Sequence, residues 1–556
     1  MKTLLYFFAG LILVAGCKKG GSDPAPAPPI VTPLLITDVQ VGTVTGVSTG
    51  SLTYDVPVTA SMKIRFNKKI DRSTAGAIGL SAFGAYTVNY VYENNDSTVV
   101  IQPASNMLYL VRYTLAVNTS LRGTDNSSID AYKSYNFVTA IDPSDKFPVI
   151  SDNALLDTVQ KRTFAYFWDY GHPVSGLARE RSNATPETVT TGGSGFGIMS
   201  IPVAISRNFI TRAQGLARMQ TIVAFLKNTA QKYHGAFPHW LNGSTGVTIP
   251  FSAKDDGADL VETSYLMAGL LTARQYFDGA GAAETALRND INVLWNAVEW
   301  NWFRQGTQNV LYWHWSPNYA WQMNNKIQGW NECLITYILA ASSTTFAIPK
   351  VVYTEGFARN GAMQNGGSFY GYQLPLGSNN GGPLFFAHYS FLGINPTGLN
   401  DAYASYQLQV TNHTKINYEY CKANPKGYYG YSSSCWGLTA SDVPGGYNAN
   451  EPNNDIGVIA PTAALSSFPY TPVESMNALK YFYYKLGDRI FLQYGFADAF
   501  SLKDTWVAAS HLAIDQGPII VMIENYRSGL VWNLLTSCPE IKNGMKNVLG
   551  FTAPYL

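Results

Sequence analysis

The chain has little charge of either sign. Its 556 residues include 13% charged side chains and sum to a net charge of +1. No basic field exists to hold nucleic acid, so none is expected as a partner. Cysteine is scarce: beyond Cys17 only Cys333, Cys421, Cys435 and Cys538 remain, at spacings that do not make a zinc site. An HExxH pair and a Ser-His-Asp order are also missing, which removes the usual peptidase and esterase readings. The cluster TTGGSGFG lacks the Lys-Ser/Thr ending of a phosphate loop. It reads instead as a tight loop that brings backbone close to a ligand.

What the chain has is aromatic surface. Tyr, Trp and Phe make up 13% of it, with 36 Tyr and 12 Trp, a composition suited to a face that meets glycans. The opening MKTLLYFFAGLILVAGC places Lys2 before an apolar run from Leu4 to Val14 that is shorter than the roughly 20 residues of a membrane helix. Ending on Ala15-Gly16-Cys17, it resembles a bacterial lipoprotein signal. Residues 1–17 are therefore expected to be a signal with Cys17 lipidated, and 18–32 a flexible tether. The expected location is the bacterial cell envelope, with the membrane met only through the lipid. In that oxidising compartment Cys421 and Cys435 could pair across the Tyr-Gly-rich loop between them, whereas Cys333 reads as a buried thiol.

Two periodicities divide the remainder. From 33 to 141, short runs such as MKIRF, STVVIQP and YTLAVN alternate with period two and are parted by turn residues, predicting an immunoglobulin-like β-sandwich. This domain is expected to act as a spacer. Residues 142–150 read as a linker. From 151 to 556 the period is helical, and Thr211 with Gln214 predicts a capping box. Roughly a dozen helices predict an all-α toroid of paired helices, a multi-domain chain overall, with long functional loops at one mouth.

The stretch from Gly235 to Leu271 carries the strongest chemical signal. Phe237, His239 and Trp240 crowd a loop, Asp255 and Asp256 follow, and Asp259 and Glu262 share one face of a helix start. Flat rings stack on pyranose faces while carboxylates take hydroxyl hydrogen bonds, so a carbohydrate site is expected here. Candidate binding groups elsewhere are Arg179, Glu180 and Arg181 in GLARER, Trp330 in GWNE, Tyr431, Trp436 and Asp442 in YYGYSSSCWGLTASD, and Glu524. Glu332 reads as a carboxyl inside an apolar helix, where burial keeps it protonated as a general acid requires. Asp255, Asp259 and Asp515 read as lying near helix N-termini, which favour the ionised form; Asp515 is placed just ahead of a helix begun by Pro518. Salt-bridged or capping roles remain open for Glu332 and Asp515.

Taken together, GLARER, TTGGSGFG, GAFPHW, KDDGADLVET, GWNE, CWGLTASD and DQGPIIVMIENY resemble the glucoamylase-like bacterial family of β-1,2-glucanases, glycoside hydrolase family 144. The resemblance covers Ser151 to Leu556. It implies an (α/α)6 barrel, no cofactor or metal, and inverting hydrolysis of β-1,2-linked glucan or its oligosaccharides. It also implies that Asp255, Asp259 and Glu262 lie near the scissile bond, with Glu332 the acid and Asp515 the base. Inversion needs the two carboxyls about 6.5–9.5 Å apart, with room for water. A monomer is expected. An α-glucan hydrolase on the same barrel and a non-catalytic glycan-binding lipoprotein are the rival readings; a lyase has no basic cluster to hold an acidic sugar.

Overall fold

The computed structural model describes residues 32–556, so the expected signal, Cys17 and nearly all of the tether lie outside it. The described chain divides into two compact units, one of 32–107 with 112–137 and one of 108–111 with 138–556.

The first unit is immunoglobulin-like. Its strands are β1 (Ile36–Val41), β2 (Leu52–Val56), β3 (Met62–Phe66), β4 (Ile78–Ser81), β5 (Ala85–Tyr86), β6 (Val88–Glu93), β7 (Thr98–Pro103), β8 (Arg112–Val117) and β9 (Lys133–Thr139). They form two sheets, ordered β1-β3-β7-β6 and β2-β9-β8-β4-β5. Alternation decides what is inside: Met62, Ile64 and Phe66 of β3 and Tyr113, Leu115 and Val117 of β8 are buried. Tyr113 stacks on Phe137 with centroids 5.6 Å apart.

The second unit is helical. It runs through α1 (Asp152–Trp168), α2 (Thr191–Ser206), α3 (Arg212–Asn228), α4 (Leu260–Tyr276), α5 (Ala282–Ala297), α6 (Leu334–Ser342) and α7 (Tyr406–Ala423). Shorter helices follow, α8 (Pro461–Leu465), α9 (Pro472–Lys480) and α10 (Gly487–Ile490), before α11 (Ala513–Ser528), α12 (Leu530–Ser537) and α13 (Pro539–Asn543). The Thr211–Gln214 capping box opens α3 as expected. Residues 142–150 dock on this unit: Phe147 packs on Tyr483 at 4.6 Å, and the Lys146 N–H donates to the Tyr484 carbonyl.

At the centre lie α2, α4 and α11, each buried along nearly its whole length, with polar side chains such as Glu262 and Glu524 enclosed among the apolar ones. TTGGSGFG is therefore not a ligand-cradling loop. It forms the start of α2, and its glycines let two backbones touch. A Cβ on Gly195 would lie 2.2 Å from the Tyr265 carbonyl oxygen of α4. This close packing brings the N-termini of α2 and α4 side by side.

Candidate active site

Asp259 is the N-cap of α4. Its Oδ1 accepts from the Val261 and Glu262 N–H groups at 3.0 and 2.9 Å, and its Oδ2 meets His239 Nδ1 at 3.0 Å. One turn on, Glu262 Oε2 accepts from the Gly192 N–H of α2 at 2.7 Å. No side chain larger than hydrogen fits at 192, because a Cβ would stand 2.5 Å from that oxygen. The strand Ala258–Asp259 pairs with His314–Trp315, which sets His314 Nε2 at 3.5 Å from Asp255 Oδ2 and 3.7 Å from Asp259 Oδ2.

Three acids and two imidazoles thus share one buried spot, and their environments sort them. Burial, then the Asp259 charge, pushes Asp255 up to about 7. Asp259 is held low in spite of complete burial, by the His239 hydrogen bond and the nearby ring charges. Burial and the Asp259 charge raise Glu262. His239 loses hydration, which works against its charged form, yet Glu262, Asp259 and Asp255 lift it to about 9. The helix N-terminus therefore keeps Asp259 ionised as expected but not Asp255, because Asp255 stands beside an existing anion without a capping N–H. Among the described residues, His239, Asp255 and Asp259 offer ligand-type atoms within 4.8 Å of one another. A charged His239 donates a hydrogen bond to Asp259 and has no lone pair for a cation there.

A cavity of about 530 Å³ opens over this group. Its lining includes Glu262, Thr190, His239, Trp240 and Phe251, together with Glu180, Arg181, Tyr447, Leu512, Ile514, Phe385 and Tyr389. A ribbon of Thr188–Thr190, Trp240–Asn242 and Thr248–Ile249 aims the aromatics, pairing Thr190 with Trp240 and Trp240 with Ile249. Phe251 then packs on Trp240 at 4.8 Å and on His239 at 4.3 Å. On the same lining, Arg181 joins Glu180 at 3.0 Å and Asp442 at 3.2 Å.

Trp240 is half-buried on the cavity wall, and its Nε1 has no partner. Trp240→Ala is expected to weaken oligosaccharide binding with less than about 1 kcal/mol change in stability, since partly exposed positions away from the core tolerate truncation. Calorimetric binding beside a denaturant melt checks this. Unchanged affinity with a large stability loss would make Trp240 a packing residue.

Glu332 lies in the turn before α6, not within the helix, because α6 begins only at Leu334. Part of its surface stays accessible, yet burial of the carboxyl lifts it to about 7, with Glu262 and Asp259 adding to the shift. Protonation is thus as expected, by a different local geometry. Asp515 departs further from expectation. The helix starts at Ala513, so Asp515 is its third residue and Pro518 sits inside it. Asp515 is 1% exposed and raised well above the carboxylate range by burial and by Asp498. The dipole of the helix start is outweighed by lost hydration and a second acid. Tyr389 lies within electrostatic reach of Asp515, Tyr447, Glu332 and Glu262.

Several expected binding residues are elsewhere. Trp436 is fully buried, donating from Nε1 to the Glu474 carbonyl at 3.2 Å. Tyr431 is buried with its hydroxyl on Asp455 Oδ1 at 2.8 Å. Trp330 is buried between Phe391 and Tyr406. Arg179 fixes its own loop through the Pro186 and Tyr170 carbonyls and lies over the Tyr170 ring. Glu524, fully buried, is clasped by Arg207 at 2.7 and 2.8 Å and ties α11 to the end of α2. The Cys421–Cys435 bond is not formed; Cys333, Cys421, Cys435 and Cys538 are all free and buried. Cys421 and Cys435 sit in packed surroundings where burial keeps each thiol neutral and unreactive. Phe251, His314, Tyr389, Tyr447 and Asp498 were missed. Phe251 carries a signal, an aromatic four residues ahead of the acid block, but the others look like ordinary core or turn residues in sequence.

Residues 324–539 match the Glycoamylase family model and residues 38–139 match Big_5, the bacterial Ig-like domain. The chain is 44% identical over 449 residues to the exo β-1,2-glucooligosaccharide sophorohydrolase (non-reducing end) of Parabacteroides distasonis. That match covers 75% of this chain but 62% of the relative, less than two thirds of its length. The endo-β-1,2-glucanase of Chitinophaga pinensis, solved with sophorotriose and glucose, is 52% identical at a TM-score of 0.72, covering 73% of this chain and 100% of that one. The β-1,2-glucanase structure from Parabacteroides distasonis is 36% identical at a TM-score of 0.70, covering 93% of this chain and 74% of that one. With the matched fold surrounding a cavity flanked by carboxyls, the chain belongs to the Glycoamylase family.

Proposed function

We propose that this protein hydrolyses β-1,2-linked glucan or its oligosaccharides with inversion and without a cofactor. The observation that carries the reading is the cavity itself, whose lining sets Trp240, Phe251, Phe385 and Tyr389 beside the carboxyls of Glu180 and Glu262 from separate segments, with Asp259 capping the same helix start as Glu262. A protein that only binds glycan has no need to bury several acids in different protonation states around one space. The relatives named above act on the same linkage, which favours it over α-glucan.

In this reading Glu332 donates a proton to the departing glycosidic oxygen. Asp515, which must first ionise against the burial and the Asp498 charge that raise it, takes one from a water that attacks the anomeric carbon from the opposite face. Asp259, Glu262 and Asp255 hold hydroxyls near the scissile bond, and Trp240 and Phe251 stack on a sugar. Residues 151–556 would form an (α/α)6 toroid carrying this chemistry, with 33–141 as a spacer. The protein would work as a monomer held to the cell envelope through Cys17; the apolar signal ending on that cysteine supports the anchor.

The test is incubation with β-1,2-glucan, starch and laminarin, reading new reducing ends and following the first product by proton NMR. Only β-1,2-glucan is expected to be cut, and the first-formed anomer is expected to be α, since water attacks a β-linkage directly. Release of sophorose alone, against a ladder of oligosaccharides, reads whether chains are cut from an end or within. A β-anomer first would mean a covalent intermediate and a reassignment of Glu332 and Asp515.

A further inference from the structure

A second group of aromatic rings stands outside the cavity lining. Three segments supply it: residues 233–234, the turn Trp300–Arg304 after α5, and the loop that carries Trp315 and Trp321. Gly235 lets the first two approach, because a Cβ there would overlap the Ala297 carbonyl oxygen. His234 then stacks flat on Trp302, with centroids 3.9 Å apart, and meets Trp315 edge-on at 5.2 Å. Trp302 continues to Trp321 at 6.2 Å, and Tyr233 lies 6.2 Å from Trp315. Glu299 Oε2 holds the imidazole at Nδ1 from 2.8 Å. Trp302 is nevertheless 40% exposed, and Trp315 and Trp321 are only half-buried. With one face of Trp302 on the imidazole, its exposure falls on the rest of the indole. Contiguous exposed ring surface of this kind marks a partner, and its surroundings say which. The charges nearby are engaged: Glu299 with His234, Arg304 with the Thr307 and Gln308 carbonyls, and Lys326 with the Tyr312 ring. Beside the rings in sequence, the amides Asn301, Gln322 and Asn324 are exposed. Flat indoles with uncharged amides suit a neutral sugar, whose ring faces stack while its hydroxyls meet the amides.

The rings are also tied to the cavity. Trp315 pairs with Ala258, next to the Asp259 cap. Tyr233 Oη meets Thr248 Oγ1 at 2.9 Å, and Thr248 pairs with Leu241 on the ribbon that carries Trp240. We propose that Trp302, Trp315 and Trp321 form a second glycan-binding platform, which holds further glucosyl units of the same β-1,2-glucan chain that enters the cavity. The inference rests on the reading of the cavity as a glucan site. Two sites on one polymer act together. Once the cavity holds one stretch, the platform meets the next as an intramolecular partner, so affinity rises with chain length without any new contact at the scissile bond.

The experiment compares Trp302→Ala, Trp302→Phe and Trp321→Ala with wild type in the full chain. The quantity read is the ratio of kcat/KM on long β-1,2-glucan to kcat/KM on a β-1,2-linked trisaccharide. That ratio is expected to fall about tenfold or more in both Ala variants, since a linked second site multiplies affinity for the polymer. Trp302→Phe keeps a ring on His234 and is expected to restore most of it. An unchanged ratio in folded Ala variants overturns the proposal; should Trp302→Ala fail to fold, Trp321→Ala carries the same test. Native electrophoresis through gels containing β-1,2-glucan gives a readout independent of turnover, run with Glu332→Gln as the parent so that the polymer is not consumed. Adding Trp302→Ala to that parent is expected to reduce its retardation. Loss of binding to phosphatidylethanolamine–phosphatidylglycerol vesicles with glucan retardation unchanged would make the rings a membrane contact and overturn the proposal. If wild type cuts no glucan but Trp302-dependent retardation is found, the hydrolysis reading fails and the platform stands.

Discussion

Glu332→Gln is expected to lose hydrolysis by about 10²–10⁴-fold, the usual worth of general acid–base assistance, while folding and binding oligosaccharide much as wild type does. Glutamine keeps the shape and the hydrogen bonds but has no proton to give. Burial lifts the Glu332 carboxyl to about 7, helped by Glu262 and Asp259. The protonated, competent form is therefore present below that pH and is lost as pH rises through it. The alkaline limb of kcat/KM in wild type should fall near pH 7 and flatten in the variant. Steady-state rates across pH, with calorimetric binding on the same samples, check both parts. Near-full activity in Glu332→Gln would remove the residue from the chemistry.

Trp436→Ala is expected to cost about 3–5 kcal/mol of stability, the range for truncating a large core aromatic. The indole is 0% exposed, meets Tyr418 edge-on at 5.4 Å and satisfies the Glu474 carbonyl through Nε1. Truncation leaves a cavity and removes a donor from a buried oxygen, and the two penalties add. Below its lowered transition the variant should bind oligosaccharide with wild-type affinity, because the ring lies away from the cavity. Denaturant unfolding gives the first quantity and calorimetry at a temperature well under the melt gives the second. Lost affinity at unchanged stability would return Trp436 to the sugar site. The opposite pattern expected for Trp240→Ala makes the two tryptophans a matched comparison.

These two tryptophans show where sequence reading stops. Both stand within three residues of a glycine in polar, aromatic-rich segments, and nothing within a few residues of either tells wall from core. Trp240 is turned to the cavity by pairing with Thr190 and Ile249, which lie 50 residues before it and nine after. Trp436 is covered by Tyr418 of α7. The same limit applies to Glu524, whose Arg207 partner is 317 residues away.

What the sequence determined alone is whatever depends on near neighbours. The change from period two to a helical period separates the Ig-like unit from the helical one, since side-chain direction repeats within a single turn or strand. The capping box at Thr211 was legible because donor and acceptor lie within three residues, and the helix start around Asp259 and Glu262 was legible for the same reason, although the capping role of Asp259 itself came only from the structure. What only the tertiary structure decided is the state of the acids. Asp255, Asp259 and Glu262 fall within eight residues of one another, yet they differ because His239, His314 and the Gly192 N–H arrive from other segments. Asp515 differs from a simple capping acid because Asp498 and the walls around it replace water. Charge and hydration act through space, and the chain distance between the groups concerned carries no information about them.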